Sequence, residues 1–306
     1  MVSIQRIATH CGLVVLCLIG FAPPSFAFKA LSDEQTSKAL TPKVVVETGV
    51  RRPSEYSYYA AKVGLKMHKV ELNNAVFSVS YETFDLAWSQ LNHSSLSDQI
   101  RPIATIERWR GHLRLPYRVD DRRLWLAEAA IADTREQGAS PTFTFEGYVL
   151  YSQARNVRQT DYDSWQLGVF MQQSQVEQIL LPIVEITFNL NNPQSQGFYG
   201  HVGFPKTQLG YHFGPRWRSE FEFVYCQVTA GLRKDNRLWP KGYAQLKSWR
   251  SEWKTTYRFT SEIDMYFSLK YTLSRDWVRY DKFRNKTGHS QLDNTMGYGL
   301  GLQWQL

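Results

Sequence analysis

The last fourteen residues constrain the fold more tightly than any other stretch of the chain. In Asp293–Leu306, Met296, Tyr298, Leu300, Leu302, Trp304 and Leu306 fall on one face, and Gly297, Gly299, Gly301, Gln303 and Gln305 fall on the other. A repeat of two is the period of a strand, because successive strand side chains point to opposite faces. One face is apolar and the other small or polar. In hydrocarbon such a strand is viable only if a closed sheet pairs every backbone N–H and C=O, so the pattern predicts the closing stave of a transmembrane β-barrel.

The same residues, Tyr298, Leu300, Leu302, Trp304 and Leu306, resemble the carboxy-terminal signal of Gram-negative outer-membrane proteins. The resemblance implies delivery to the barrel-assembly machinery and residence in the bacterial outer membrane, among outer-membrane lipid and lipopolysaccharide. The other end of the chain fits export. Met1–Ala27 reads as a secretory signal, with Arg6 and His10 ahead of an apolar core from Cys11 to Ala22, then Pro23, Pro24, Ser25, Phe26 and the cleavage-site residue Ala27. That core is shorter than the roughly twenty residues of a spanning helix, and no later run is long and apolar. Processing removes Cys11 and Cys17 and leaves Cys226 alone, so the mature monomer has no internal disulfide. The chain carries a formal charge of +8, which suits lipopolysaccharide phosphates or anionic solutes. Export makes nucleic acid an unsuitable partner.

Residues 28–55 show weak patterning, with Pro42 and Pro53, and read as a periplasmic lead-in. Thr41–Pro53 is similar to the coupling box of TonB-dependent receptors, but the plug and roughly 22-stranded barrel of that family need far more chain. From residue 56 to 306, twelve alternating segments recur at hairpin intervals: Tyr56–His68, Ala75–Trp88, Ile103–Tyr117, Arg122–Asp133, Thr142–Gln153, Ser164–Ser174, Ile179–Leu190, Phe198–Phe213, Trp217–Ala230, Tyr243–Phe259, Ile263–Leu273 and Asn294–Leu306. The expected fold is all-β: one antiparallel up-and-down barrel of about twelve strands, within a range of ten to fourteen, with both termini on the periplasmic side. Counted back from the terminus, 275–292, 231–242 and 191–197 should be outer loops, and 214–216 and 260–262 inner turns. The N-terminal half fits less well, because 89–102 becomes a long inner connection and 119–121 a short outer one.

A negative mean hydropathy does not oppose a barrel, since only every second strand residue meets lipid. Ten Trp and seventeen Tyr supply interfacial girdles. Tyr225, Trp217, Trp249, Trp253, Tyr257, Tyr271, Trp277, Tyr280 and Trp304 are placed for that role. The stretch from Leu180 through Pro182, Gly203–Pro205 and Gln208–Pro215 resembles the middle of a family of outer-membrane barrels, a likeness that supplies a fold and a location but no activity.

Candidate chemistry is sparse. Asn92-His93-Ser94-Ser95 is similar to the His-x-Ser of outer-membrane phospholipases and lipid A deacylases, in which residues two apart share a face and the imidazole takes the hydroxyl proton. Here His93 would be base and Ser95 nucleophile, but Leu96-Ser97-Asp98 replaces the residues that follow in that family. No cofactor is expected, nor a metal, since the mature chain has no Cys/His cluster. Arg233, Lys234, Arg237 and Lys241, then Arg275, Arg279, Lys282, Arg284 and Lys286, lie in expected outer loops where lipopolysaccharide phosphates would meet them. Arg108, Arg110, Arg114, Arg118, Arg122 and Arg123 form a stripe that could face Glu128, Glu146, Glu185, Glu220 and Glu222 across the lumen. Paired, these charges fill a barrel; unpaired, they make an anion-preferring pore. The order of expectation is a narrow pore or solute-uptake barrel, then a structural or surface-interaction barrel, then a lipid-modifying hydrolase. The set is too sparse to predict an enzyme.

Overall fold

The computed structural model describes residues 40–56, 61–89, 103–120, 122–157, 161–191, 196–236 and 239–306. Fifteen strands form one sheet: β1 (Lys43–Tyr56), β2 (Ala61–Asn73), β3 (Phe77–Ser89), β4 (Thr105–Arg118), β5 (Arg123–Glu136), β6 (Phe143–Val157), β7 (Asp161–Gln173), β8 (Gln178–Asn191), β9 (Gln196–Phe204), β10 (Lys206–Phe213), β11 (Trp217–Gly231), β12 (Tyr243–Arg258), β13 (Ile263–Tyr280), β14 (Lys286–Leu292) and β15 (Thr295–Gln305). Neighbours in sequence pair antiparallel, and β1 pairs with β15, which closes the ring. β14 and β15 are two lengths of one stave, interrupted at Asp293 and Asn294, and each pairs with both β13 and β1. The closed barrel therefore has fourteen staves, not about twelve.

Two features account for the difference. The segment read as lead-in is a full strand: Lys43–Arg51 pairs residue for residue with Gln305–Gly297, so the barrel starts at Lys43. Pro53 lacks a ladder donor, and the register of β1 against β2 shifts between Arg51 and Ser54. The second feature is the segment read as one strand from Phe198 to Phe213. It is a hairpin, β9 and β10, with Pro205 alone between them. That extra turn reverses the orientation of every connection before it. Ser89 and Ile103, which flank the long connection between β3 and β4, lie at the end opposite the termini, where long loops belong, and Val119, Asp120 and Arg122 lie at the termini end; residues 90–102 and 121 are outside the described residues. Asn191, Gln196 and Gly197, expected outside, also lie at the termini end, with 192–195 outside the described residues.

Along β15 the structure shows the expected alternation, with Met296, Tyr298, Leu300, Leu302, Trp304 and Leu306 exposed and the residues between them turned in. Large apolar side chains face outward around the rest of the ring: Leu180 is 66 % exposed, Val184 57 % and Phe145 52 %. A water-soluble surface rarely carries such a continuous apolar belt, whereas lipid tails cover it at no cost. Aromatic rings cluster on the outer face near the termini. Trp125, Tyr151 and Trp165 pack in sequence at 5.1 and 5.6 Å, and Trp217 meets Tyr257 at 4.7 Å. Rings with one wet edge and one apolar edge suit the headgroup layer. Trp277 and Tyr280 do not join them. Ser274, at φ 46°, adds a residue to β13 opposite Ser248, and this bulge turns Arg275, Trp277 and Arg279 inward.

The inward glycines of β15 have a specific use. A Cβ on Gly301 would overlap the Tyr266 ring, and one on Gly297 would lie 2.8 Å from Arg51 Cγ. Both large polar side chains lie across β15 because the positions beneath them are bare.

Candidate functional site

The barrel encloses one large cavity of about 950 Å³, lined from Gln303 and Arg114 near the termini to Leu86, Trp277 and Leu292 near the opposite end. Its wall is charged because the inward positions of β1, β4, β5, β11, β12 and β13 carry ionisable residues at the same depth. Most form ion pairs. Glu146 accepts from Arg110 at 2.6 Å and lies 3.6 Å from Arg108. Glu128 accepts from Arg114 Nε at 3.0 Å and also contacts His112 and the Tyr148 hydroxyl. Glu222 binds Lys206 at 2.6 Å and Arg250 at 3.0 Å, and Glu220 binds Lys254 at 2.9 Å. Glu47 takes Lys270 and, at 2.9 Å, the Tyr266 hydroxyl.

The expected Arg stripe is thus divided. Arg108, Arg110 and Arg114 face the lumen and pair with Glu146 and Glu128, as alternation required. Arg118, Arg122 and Arg123 belong to the turn at the termini end, where the Asp120 carboxylate caps the backbone N–H groups of Arg122 and Arg123. Glu220 and Glu222 also face the lumen, but their partners come from β10 and β12, which the sequence reading did not connect to them. The pairs join adjacent staves, as in Arg114–Glu128 and Arg250–Glu222, or staves two apart, as in Arg110–Glu146 and Lys270–Glu47, between residues too far apart in sequence for any local pattern to show.

The end opposite the termini is drawn inward. β9 and β10 have 9 and 8 residues, against 14 in β8 and 15 in β11, so Gln178–Ile183 and Cys226–Ala230 have no ladder partner on their facing edges. Unpaired edge groups seek other partners. Gly231 bridges in parallel to Arg135 of β5, six staves away, and the carbonyl of Gln227 accepts from Gln172 of β7 at 3.4 Å. Glu136, 2 % exposed, fixes the following loop by accepting from Arg233 N at 3.0 Å and Asn236 Nδ2 at 3.1 Å. Beneath it Ile103, Leu232, Ala244, Trp277 and Leu292 form an apolar cluster, with Trp88, Trp239 and Leu246 packed around it.

His93, Ser95, Arg237 and Ala27 lie outside the described residues. Of the basic residues expected in outer loops, Lys234, Lys241 and Arg284 are exposed at the end opposite the termini. Arg233 is also at that end, with its guanidinium turned to Glu136 at 3.3 Å. Arg279 corrects the expectation: the Ser274 bulge turns it inward, only 4 % exposed, with its guanidinium 5.4 Å from the Trp239 ring.

No protein-family model and no curated protein sequence matches the chain. Among solved structures it is similar to the KdgM porin, at 8 % identity over 86 % of this chain and 99 % of that one, TM-score 0.38. It is also similar to an outer membrane channel from Pseudomonas putida F1, at 7 % identity over 92 % and 99 %, TM-score 0.43. The outer membrane protease OmpT from Escherichia coli aligns at 9 % identity over 91 % and 99 %, TM-score 0.29. At such scores, what this barrel does has to be read from its own lumen.

Proposed function

We propose that this chain is an exported outer-membrane barrel that carries small polar solutes through its charged lumen. The observation behind this reading is the cavity of about 950 Å³, whose wall is polar at mid-depth while the exterior is apolar. Eight staves give an interior that side chains just fill, and sixteen to eighteen leave an aqueous channel; fourteen lie between. Paired charges hold the wall open as a rigid polar surface, and their dipoles remain available to a passing solute. Single-channel recording in planar bilayers tests the proposal: discrete conductance steps are expected, and a folded protein silent at every voltage would sink it.

A second reading, a barrel that serves as a structural or surface element without transport, is favoured by the inward fold at the end opposite the termini. There β11 touches β5 and the apolar cluster lies under the loop. Silence in bilayers together with a normal surface level is its signature. In either case Lys234, Lys241 and Arg284 stand where lipopolysaccharide phosphates would be met, and Tyr298, Leu300, Leu302, Trp304 and Leu306 would address the chain to the barrel-assembly machinery. Removing Gln303–Leu306 takes away partners of Lys43–Val45 and of Ile263–Asp264. Loss of the truncated protein from the outer membrane is expected on fractionation.

A further inference from the structure

On the β12–β13–β15–β1 wall, the pairing of charges is incomplete. Glu222 answers Arg250, and Glu47 and Glu252 both answer Lys270, the latter at 3.6 Å. Glu47 and Glu252 also lie within electrostatic range of Arg51, but no hydrogen bond or ion pair joins another described residue to the guanidinium of Arg51. Its side chain crosses Gly297 into the cavity and lies within electrostatic range of two further guanidinium groups, those of Arg250 and Arg275. Arg275 is aimed there by the Ser274 bulge and held by its Nη1 bond to the carbonyl of Asp293 at 3.1 Å. Between them in the sheet is Thr272, 1 % exposed and paired with Arg250 on one side and Thr295 on the other; its Oγ1 has no hydrogen-bond partner.

Three guanidinium groups gathered in a lumen repel one another, and an unsatisfied buried hydroxyl costs stability. A single oxyanion removes both penalties, since planar guanidinium forks match carboxylate and phosphate oxygens and the hydroxyl can donate to a third. We propose that Arg51, Arg275 and Thr272, with Arg250 at the side, form a binding site for one oxyanion group, phosphate or carboxylate, carried by a small solute. The site rests on the lumen being reachable from water, as the pore reading holds, but binding and conduction are separate measurements.

The test is equilibrium dialysis of inorganic phosphate against the full mature chain refolded in detergent micelles, at constant ionic strength, with a parallel arm in which acetate competes. Saturable binding of one phosphate is expected. Competition by acetate identifies a general oxyanion site; its absence identifies a phosphate site, and both agree with the proposal. Arg51→Gln should weaken binding by roughly tenfold or more, as loss of a hydrogen bond to a charged group does. Arg122→Gln, in the exposed turn at the termini end, should leave it unchanged. Phosphate uptake that never saturates, or an affinity untouched by Arg51→Gln, overturns the proposal. Should Arg51→Gln fail to refold, Thr272→Val, which alters one hydroxyl, carries the test, and wild-type affinity in that variant is the contrary result. A protein that binds phosphate but never conducts keeps the site and loses the pore; one that conducts without saturable binding does the reverse.

Discussion

Glu128 shows how much a single lumen residue holds. It is half-buried and serves three donors: Arg114 Nε, His112 and the Tyr148 hydroxyl. Glu128→Gln keeps the shape and removes the charge, leaving one amide oxygen as acceptor for the three partners. Charge-assisted hydrogen bonds contribute about 1–3 kcal/mol each in such settings. Isolated exposed pairs contribute less, because water screens them. A lower urea midpoint with an unchanged slope is expected for Glu128→Gln in micelles. A midpoint equal to wild type would mean that the lumen is wet enough to screen the cluster completely. At this scale the sequence was informative about direction and silent about partners. The alternation of β4 placed Arg108, Arg110 and Arg114 inward, whereas Tyr266 resting on Gly301 and bonding Glu47 joins residues at opposite ends of the chain.

Among the elements, β13 carries the sharpest prediction. Its one added residue at Ser274 changes which face Arg275, Trp277 and Arg279 occupy. Ser274→Val, whose β-branched side chain opposes the positive φ of the bulge, should straighten β13, bring position 274 into strict alternation and drive the Arg275 and Arg279 guanidinium groups toward lipid, where a charge near the bilayer midplane of a barrel costs about 2–4 kcal/mol and less near the interface. Failure of that variant to reach heat-modifiable, protease-resistant form on refolding is the expected outcome; normal refolding would show that the face is set elsewhere. The same bulge explains why Arg279 was misplaced from sequence: an alternation count has no symbol for an extra residue. β1 was hidden by Pro42 and Pro53, both read as loop signals, although Pro is tolerated where the register shifts. β9 and β10 were merged because their turn is Pro205 alone, with no polar run to mark it. Strands with clean dyads and ordinary turns, β11, β12 and β15, were legible almost to the residue.

For the molecule as a whole, the pore reading makes the inward fold opposite the termini the constriction that a solute would meet. Glu136 is its fastener, through Arg233 and Asn236. Glu136→Ala should free the loop from the β5 end and raise single-channel conductance, with little change in the number of channels formed. An unaltered conductance would show that the apolar cluster around Ile103 and Trp277, and not this carboxylate, sets the constriction.

The seam of the ring joins Lys43–Arg51 to the final residues of the chain. Thirteen staves can zip in chain order, but β1 must wait, one flank bare, until Gly297–Gln305 reach it. During that interval two raw strand edges face each other across an incomplete cylinder, each a template for pairing with a stranger. Completion is thus a single late event, and a chain cut short by even a few residues is left permanently ajar.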